Sequence, residues 1–404
     1  MNVSRYISQK LTGSGAEAFT ATVTKIAVIS IAVGLAIMLV SFAILEGFRN
    51  EIQAKIFGFG AHLHISKYDT NNSYEGYPIS TRTVLADPSR LAGVHHVQPF
   101  ARKTAIIKTE EDVLGVVLKG VGPDYDLSGI RQNLVEGSSI TFSDTAASDD
   151  VLLSQKIAAQ LRLNVGDRAI FYFIQNPPRV RRFNVAGIYK TGLDEFDEVY
   201  VIGDLRQIRE LNNWADTLVG GYEVYLQNFA RIDEVTDRLY EEIDYDLQVE
   251  KITDRYAPLF DWLELLRKNV IIFLILIVFV ATFNMVSTVF IMILERTNMI
   301  GILKALGASD PQIRQVFFFK GLQLTLKGLF WGNIIGLGFC LIQYHFRLIP
   351  LDPENYYMDT VPIHWNFFAF GILNVIILVL TMLAILIPSA LISRIRPVAA
   401  IRFD

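Results

Sequence analysis

Two pairs of histidines are the residues in this chain whose type and spacing come closest to a metal site. His62 and His64 alternate on one side of a strand-like stretch, and His95 and His96 are adjacent in sequence. Zinc sites are usually completed by cysteine or carboxylate ligands at short spacing. No such residue completes either pair, and the single cysteine, Cys340, lies in an apolar run. The sequence therefore predicts no metal site.

Nucleotide chemistry is also missing from the sequence. A P-loop requires the spacing Gly-x-x-x-x-Gly-Lys-Ser/Thr, whose backbone N–H groups surround phosphates, and no such run occurs. The glycines at 13–15 and 58–60 are typical of linkers. No nucleophile, base and acid can be grouped from the sequence, so no hydrolase is predicted. We expect a non-catalytic chain with no cofactor of its own. Any energy that it uses is then expected to come from another polypeptide.

A short stretch between two hydrophobic runs is the candidate docking site for that partner. Apolar side chains recur in it at helical spacing beside charged ones. The stretch contains Glu295, Arg296, Met299, Ile302, Leu303, Leu306 and Gly307. Gly307 can take the left-handed conformation that ends a helix, and Ser309 with Gln312 matches a capping box for the next helix. An apolar face beside charges predicts a protein partner. Ordinary interfacial charge is the alternative for the first two residues.

Long apolar runs indicate that this stretch lies beside a membrane. The chain has 404 residues, of which 51% are hydrophobic and 19% are charged, but most charges lie between residues 46 and 268. Crossing a bilayer takes roughly 20 apolar residues in a helix. Four segments qualify: 26–48, 268–294, 328–346 and 365–392. The first 25 residues are polar and no small-residue cleavage site follows them, so no cleavable signal peptide is expected. The net charge of −4 argues against nucleic acid as a partner.

Lysines and arginines predict the orientation of these spans. They precede the first span, recur through 295–327 and follow the last span, whereas the loop 347–364 has one arginine against three acidic residues. Positive charge marks the cytoplasmic side. The segments 1–25, 295–327 and 393–404 are therefore expected in the cytoplasm, and the segments 49–267 and 347–364 are expected outside. In a bacterium that outer side is the periplasm.

The large outer segment alternates strand-like and helical stretches, so it is predicted to be an α+β domain. Residues 60–120 and 220–253 predict one strand-helix-strand module that is built from both flanks of the segment. Residues 121–219 are then expected to form a second, inserted module.

Several motifs resemble one family, the permease subunits of lipoprotein-releasing ABC transporters. The most specific are residues 281–288 (ATFNMVST) and 302–309 (ILKALGAS). Residues 185–192 (VAGIYKTG) and the terminal 396–402 (RPVAAIR) are also similar to the family. The resemblance covers nearly the whole chain in order. The wider superfamily includes macrolide-exporter permeases and the cell-division permease that activates wall hydrolases.

The resemblance implies the type VII ABC permease architecture, an integral membrane protein with four transmembrane α-helices. One helix precedes a large α+β periplasmic domain and three follow it. It implies that the permease pairs with a second copy or a paralogue in the bacterial inner membrane. A cytoplasmic ABC ATPase subunit would bind ATP and grip the stretch at 295–307, and lipoproteins would be extracted from the membrane and passed to a periplasmic carrier. A macrolide-type efflux permease and a mechanotransmitter for a periplasmic wall hydrolase are the alternatives.

The resemblance also suggests a carrier-binding hairpin just before residues 181–183. Here that hairpin is short and contains Asn176, Pro177, Pro178 and Arg179. Proline cannot donate a ladder hydrogen bond, so the tip is predicted to stand off the sheet. A plain surface turn is the alternative.

A third set of residues is predicted to line a cavity for lipid or substrate. Met38, Phe42 and Phe48 are large side chains of the first span, and Asn284 lies in the middle of the second. Flexible apolar side chains suit acyl chains, and a polar residue within a span often marks a cavity or a helix contact. Helix packing or lipid exposure is the alternative for the first three residues, and a local hydrogen bond between helices is the alternative for Asn284.

Overall fold

The computed structural model describes residues 17–70, 73–83, 85, 91–143 and 145–394. The predicted segments 1–25 and 393–404 therefore fall largely outside the described residues. Contacts divide the chain into two units. The membrane unit contains the residues up to Asn50, Trp262–Leu351 and the residues from Asp359 onward. The sheet unit contains Glu51–Asp261 and Asp352–Met358.

The regular elements are labelled here in chain order. They are α1 (Glu17–Gly60), β1 (Leu63–Lys67), β2 (Ile79–Ser80), β3 (Val94–Lys108), β4 (Val113–Val121), α2 (Ser128–Gln132), β5 (Leu134–Gly137), β6 (Asp150–Ser154), α3 (Gln155–Leu161), β7 (Arg168–Phe173), β8 (Arg179–Tyr189), α4 (Asp194–Asp197), β9 (Tyr200–Asp204), α5 (Leu205–Asn212), β10 (Leu218–Val219), β11 (Gly221–Leu226), α6 (Ile232–Glu242), β12 (Leu247–Lys251), α7 (Ile252–Arg255), α8 (Ala257–Glu295), α9 (Thr297–Ala305), α10 (Asp310–Phe346), α11 (Pro353–Tyr356) and α12 (Phe367–Ser389). Short 3₁₀ segments span Phe229–Arg231 and Ala390–Arg394.

Four helices of the described chain are long and apolar enough to cross a membrane: α1, α8, α10 and α12. One precedes the strands of the sheet unit and three follow them, which confirms the predicted fold class. The helices differ in extent from the predicted spans. The first has 44 residues, about 66 Å at about 1.5 Å per residue, which is roughly twice the hydrocarbon thickness of a bilayer. Its end includes 58–60, so the predicted linker there is the last turn of α1.

A row of glycines on α10 lets this helix pack closely on α1. A Cβ atom on Gly332 would lie 2.9 Å from the Ala32 carbonyl oxygen, and one on Gly336 would lie 3.0 Å from the Ala36 Cα atom. Gly328 repeats the contact one turn earlier, against the side chain of Ile31. Small residues at this spacing of four allow two backbones to approach in a membrane, where packing and not water drives association.

The sheet unit is organised around one ten-stranded sheet. Its order is β12-β1-β11-β3-β4-β9-β6-β8-β5, and β7 pairs with both β3 and β8. Strands from 60–120 and 220–253 are neighbours at one end, and strands from 121–219 continue the sheet through the parallel pair β4 and β9. The two predicted modules therefore share a sheet. Strands β10 and β2 form a separate two-stranded sheet that also joins the two sets of residues.

Alternation of buried and exposed side chains explains why these segments form strands. In β3 the residues Ala101, Lys103, Ala105 and Ile107 are buried, and the residues between them are partly exposed. A period of two places successive side chains on opposite faces of a sheet. Helix α5 has the matching period of a helix, with Leu205, Ile208 and Leu211 all buried.

Replacing Gly332 and Gly338 by alanine tests the close packing of α10. Nothing lies within 4 Å of a Cβ atom at Gly338, so Gly338→Ala should raise helix stability by up to about 1 kcal/mol. Gly332→Ala should instead destabilise the protein by about 1–3 kcal/mol, because the added methyl group meets the backbone of α1. Thermal unfolding of the purified protein in detergent measures both. An equal rise for the two variants would contradict the contact.

Candidate functional site

The predicted docking stretch forms helix α9, held between the ends of α8 and α10. The Thr297 hydroxyl donates a hydrogen bond of 2.6 Å to the Leu294 carbonyl, which supports the turn out of α8. Gly307 has φ +92°, the left-handed conformation expected of it. The predicted capping box at the start of α10 is confirmed, with the Ser309 N–H donating to the Gln312 Oε1 atom at 2.9 Å.

The side chains of α9 divide into an anchoring side and an exposed side. Ile300 is fully buried in the core of the membrane unit, and Leu303 packs against the same core. Ile302 and Leu306 are 52% and 79% exposed. Successive residues of a helix are rotated by about 100°, so these two lie roughly opposite Ile300. The apolar face predicted from spacing is therefore split, and Leu303 serves packing more than docking.

Lys304 fixes α9 to two neighbouring segments of the membrane unit. Its ammonium donates a 2.7 Å hydrogen bond to the Ile392 carbonyl and lies 2.8 Å from the Asp310 carboxylate. Together with the buried Ile300, this leaves the helix little freedom to move by itself. Sequence analysis did not assign this anchoring role to Ile300 and Lys304. Ile300 and Leu303 are three residues apart, which places them on the same side of a helix.

The predicted hairpin joins β7 to β8, and its ladder is longer than expected. Arg179 pairs with Phe173, so the second strand begins at Arg179 and already includes residues 181–183, before which the hairpin was expected. The two prolines lie outside the ladder, as predicted. The Asn176–Pro177 peptide bond is cis.

Arg179 is occupied inside the sheet unit. Its guanidinium donates to the Glu210 carbonyl at 2.6 Å and to the Asn213 Oδ1 atom at 2.9 Å. Both acceptors are at the C-terminal end of α5, where carbonyls lack helical partners and cations are favoured. Gln175 adds a hydrogen bond of 3.1 Å to the Leu211 carbonyl. The predicted contact residue Arg179 thus positions the hairpin on α5.

An exposed apolar strip accompanies the hairpin, and sequence analysis did not single it out. Tyr172 and Val180 are directly opposite each other in the ladder and are 40% and 51% exposed. Ile174 is 74% exposed. Ile174 directly follows β7, and continued alternation would place it on the same side as Tyr172, so the strip continues toward the prolines.

The residues predicted to line a cavity occupy different surroundings. Met38 is 2% exposed and belongs to the core of the membrane unit, so it packs between helices and does not line an open surface. Phe42 packs against the same core, and Phe48 is half-buried. The Asn284 side chain donates to the Ser30 hydroxyl at 3.2 Å, which is the local hydrogen bond between helices that was the alternative.

His62 and His64 both form hydrogen bonds with other residues of the sheet unit. His62 Nδ1 accepts a hydrogen bond from the Leu226 N–H at 2.8 Å, and burial lowers the pKa of His62 to about 4. His64 Nε2 lies 2.5 Å from the Gly60 carbonyl oxygen, and its Nδ1 atom lies 3.1 Å from Arg102 Nη2. Because a guanidinium only donates, Nδ1 accepts and Nε2 carries the hydrogen. Within the described residues no three potential ligands are grouped for a metal ion.

A buried ionic network in the sheet unit is the largest feature that the sequence did not reveal. Glu223 is fully buried, and its carboxylate lies 2.6 Å from the Lys119 ammonium. The Tyr125 hydroxyl donates to it at 2.6 Å and the Gln98 amide at 3.1 Å. Lys119 also donates to the Phe59 carbonyl at 3.0 Å, so the network caps the last turn of α1.

The charge state of this network follows from its pairing. Burial is the largest single effect and would raise the pKa of Glu223, but the Lys119 charge, His64 and the hydrogen bonds from Lys119 and Tyr125 together outweigh it. The pKa of Glu223 is therefore lowered to about 2. Burial lowers the pKa of Lys119, and Glu223 opposes that change. The pair is thus charged at neutral pH and holds Tyr125 as a donor.

Glu223→Gln should destabilise the protein at pH 7 by about 3–5 kcal/mol, because it leaves the Lys119 charge buried without its partner. The folded-state pKa of Glu223 lies below its ordinary value, so its contribution is present above about pH 4.5 and is lost as the pH falls toward 2. The gap between wild type and variant should therefore narrow in acid. Thermal unfolding at several pH values measures it, with Glu234→Gln as an exposed control. A gap that is independent of pH would contradict the ion pair.

Comparison with known proteins agrees with this architecture. Residues 24–241, more than half of the chain, match the family described as MacB-like periplasmic core domain. Residues 271–397 match the FtsX-like permease C-terminal family. The chain is 24% identical over 408 residues to the lipoprotein-releasing system transmembrane protein LolC of Xylella fastidiosa (strain 9a5c), covering 96% of this chain and 95% of that protein.

Two further relatives match at similar length. The LolC protein of Neisseria meningitidis serogroup B is 24% identical over 406 residues, covering 96% of this chain and 95% of the relative. The lipoprotein-releasing system transmembrane protein LolE of Haemophilus influenzae is 22% identical over 422 residues, covering 98% of each. Four membrane-spanning helices and these relatives identify a multi-pass membrane protein. The chain therefore belongs to the family of permeases with a MacB-like periplasmic core domain and is a LolC- or LolE-like member of it.

Proposed function

We propose that this chain is the permease subunit of an ABC transporter that extracts lipoproteins from the bacterial inner membrane and passes them to a periplasmic carrier. The observation that carries the proposal is the match, over nearly the full length, to relatives that are named for lipoprotein release. Those names favour this function over macrolide efflux or activation of a wall hydrolase.

Extraction of a lipoprotein needs external work. Each methylene group of an acyl chain contributes about 0.8 kcal/mol to membrane anchoring, and two or three chains hold a lipoprotein firmly. The sequence contains no P-loop, so we assign ATP binding and hydrolysis to a separate cytoplasmic ATPase subunit. The asymmetry of lysine and arginine supports an orientation with both termini and α9 in the cytoplasm.

Helix α9 is the proposed contact for that ATPase. Ile302 and Leu306 offer exposed apolar side chains, while Ile300 and Lys304 hold the helix to the membrane unit. A push on the exposed side would therefore move the helices that α9 joins and not α9 alone. Helix α8 is a single element of 39 residues from Ala257 to Glu295, well suited to carry such movement outward.

The exposed surface of α8 is the proposed contact for acyl chains or for a paired permease. Only 11% of the most apolar 18-residue stretch of α8 is buried, against 44% of the corresponding stretch of α1. Phe279 and Phe283 stack on each other and are 68% and 61% exposed. Movement of this face against a second copy or a paralogue would change the room available to lipid chains between them.

The hairpin strip of Tyr172, Ile174 and Val180 is the proposed contact for the periplasmic carrier. Because Arg179 and Gln175 already fix the hairpin to α5, little ordering remains to be done when a partner binds. A surface that is ordered in advance loses less entropy on association. This suits a transient exchange of lipoprotein.

Ile302→Asp and Leu306→Asp should each reduce co-purification of the ATPase at least about tenfold, because a charge on the apolar contact must be desolvated. The permease itself should remain folded, since both side chains are exposed. Leu348→Asp is the matched control, an exposed leucine (64%) in the loop that follows α10. Pull-down from membranes with quantitative detection of the ATPase gives the result. Normal recovery with both variants would place the ATPase contact elsewhere.

The double variant Ile174→Ser/Val180→Ser should leave ATPase activity unchanged and slow transfer of lipoprotein to a soluble carrier at least about tenfold, because it removes apolar contact area. Arg179 and its contacts with α5 are kept. Val113→Ser, an equally exposed valine (60%) at the β3–β4 turn, is the control. A transfer assay with purified complex and carrier measures the rate. If the double variant transfers as fast as the control, the hairpin is only a surface turn.

A further inference from the structure

Lys320 is a lysine of the membrane unit whose charge has no counterpart in the described chain. It lies on α10 and is only 7% exposed. Among the described residues, the charges that act on it are those of Arg296 and Lys327, and both are positive. A nearly buried side chain whose charge lies beside like charges is costly unless an anion pairs with it. The position therefore calls for an anion.

Lys304 is a lysine of the same unit that has both an ion-pair partner and a hydrogen-bond partner. Its side chain is 11% exposed, close to the value for Lys320. It has both a carboxylate, Asp310, and the Ile392 carbonyl as partners within 3 Å. The fold thus supplies partners for one nearly buried lysine and, within the described residues, only like charges around the other.

The depth of Lys320 along α10 indicates where its partner comes from. The apolar run of this helix begins at residue 328, so the exposed Lys327 marks the edge of the hydrocarbon. Lys320 is seven residues, about 10 Å, further from the hydrocarbon, which is just beyond the lipid headgroup layer and within reach of it for a long lysine side chain. Leu326, Phe330 and Trp331 are 49%, 61% and 53% exposed beside Lys327. Exposed apolar and tryptophan side chains at this level are typical of a surface that faces lipid.

We propose that Lys320, Lys327 and Arg296 bind the phosphate of an anionic phospholipid headgroup, with the acyl chains along the exposed side of α10. Basic pockets between membrane helices are a recognised setting for such headgroups. Arg296 is also the N-cap residue of α9, whose N-terminal end carries partial positive charge. The bound lipid would supply an anion to Lys320 and tie α9 to the lipid composition of the membrane. This inference is independent of the transported substrate.

The test compares wild type with Lys320→Gln in detergent, using the full chain. Without lipid, Lys320→Gln should be at least as stable as wild type, because it removes the charge of a nearly buried side chain that lies beside like charges. Added phosphatidylglycerol should raise the unfolding temperature of wild type more than that of the variant. Native mass spectrometry should show binding of this lipid weakened about fivefold for each lysine removed, from about 1 kcal/mol per basic residue.

Two other ligands and a second lysine variant isolate the contribution of the headgroup charge. Phosphatidylcholine should not reproduce the effect, and inorganic phosphate should not either, since it lacks the acyl chains. Lys268→Gln should keep the full response, because Lys268 is 67% exposed and lies 3.9 Å from Glu264. An equal response to phosphatidylcholine would overturn the proposal, and an equal response to phosphate would reduce the site to one for free anions. A lipid-free Lys320→Gln that is less stable than wild type and still responds to phosphatidylglycerol would show that Lys320 already has a partner in the protein.

Discussion

Hydrocarbon offers no partner to a backbone N–H or C=O group, and this constraint underlies the structure of the membrane unit. Each crossing must satisfy its own backbone, which a helix does. Four helices therefore carry the apolar sequence, and the irregular backbone between α8 and α10 is confined to Arg296 and residues 306–309, on either side of α9. Helix α9 lies where two long helices have to be joined outside the lipid. Its place next to their ends makes it a suitable point for applying force.

Lipid also removes the usual reason for helices to associate, since acyl chains are as apolar as leucine. The glycines of α10 supply close backbone contact with α1 in its place. Met38 belongs to the core that results, while α8 keeps most of its apolar surface exposed. The helices thus divide into a packed group and a helix with a free face, and that free face is the part suited to meet lipid chains or another permease.

In the sheet unit, by contrast, the last turn of α1 lies among polar groups that bind its carbonyls. Lys119 and His64 meet the carbonyls of Phe59 and Gly60, and Glu223 holds Lys119 in place. Breaking such a buried pair is costly, whereas its net contribution is modest. Its role here is to hold Lys119 in position against the Phe59 carbonyl. The network fixes the last turn of α1 against the strands of the same unit, which an apolar contact of the same size would specify less sharply.

The sequence by itself determined the four helices, the capping box at Ser309 and the role of Gly307, because runs of apolar residues and local backbone chemistry need no distant partner. Tertiary structure decided what depends on contacts between distant residues. On α9, Leu303 packs inward and Ile302 is exposed, and Arg179 donates hydrogen bonds to the C-terminal end of α5. Tertiary structure also brought Glu223 to Lys119 across a sheet. Spacing along the chain gives the sides of a helix or strand, but only packing decides which side is covered.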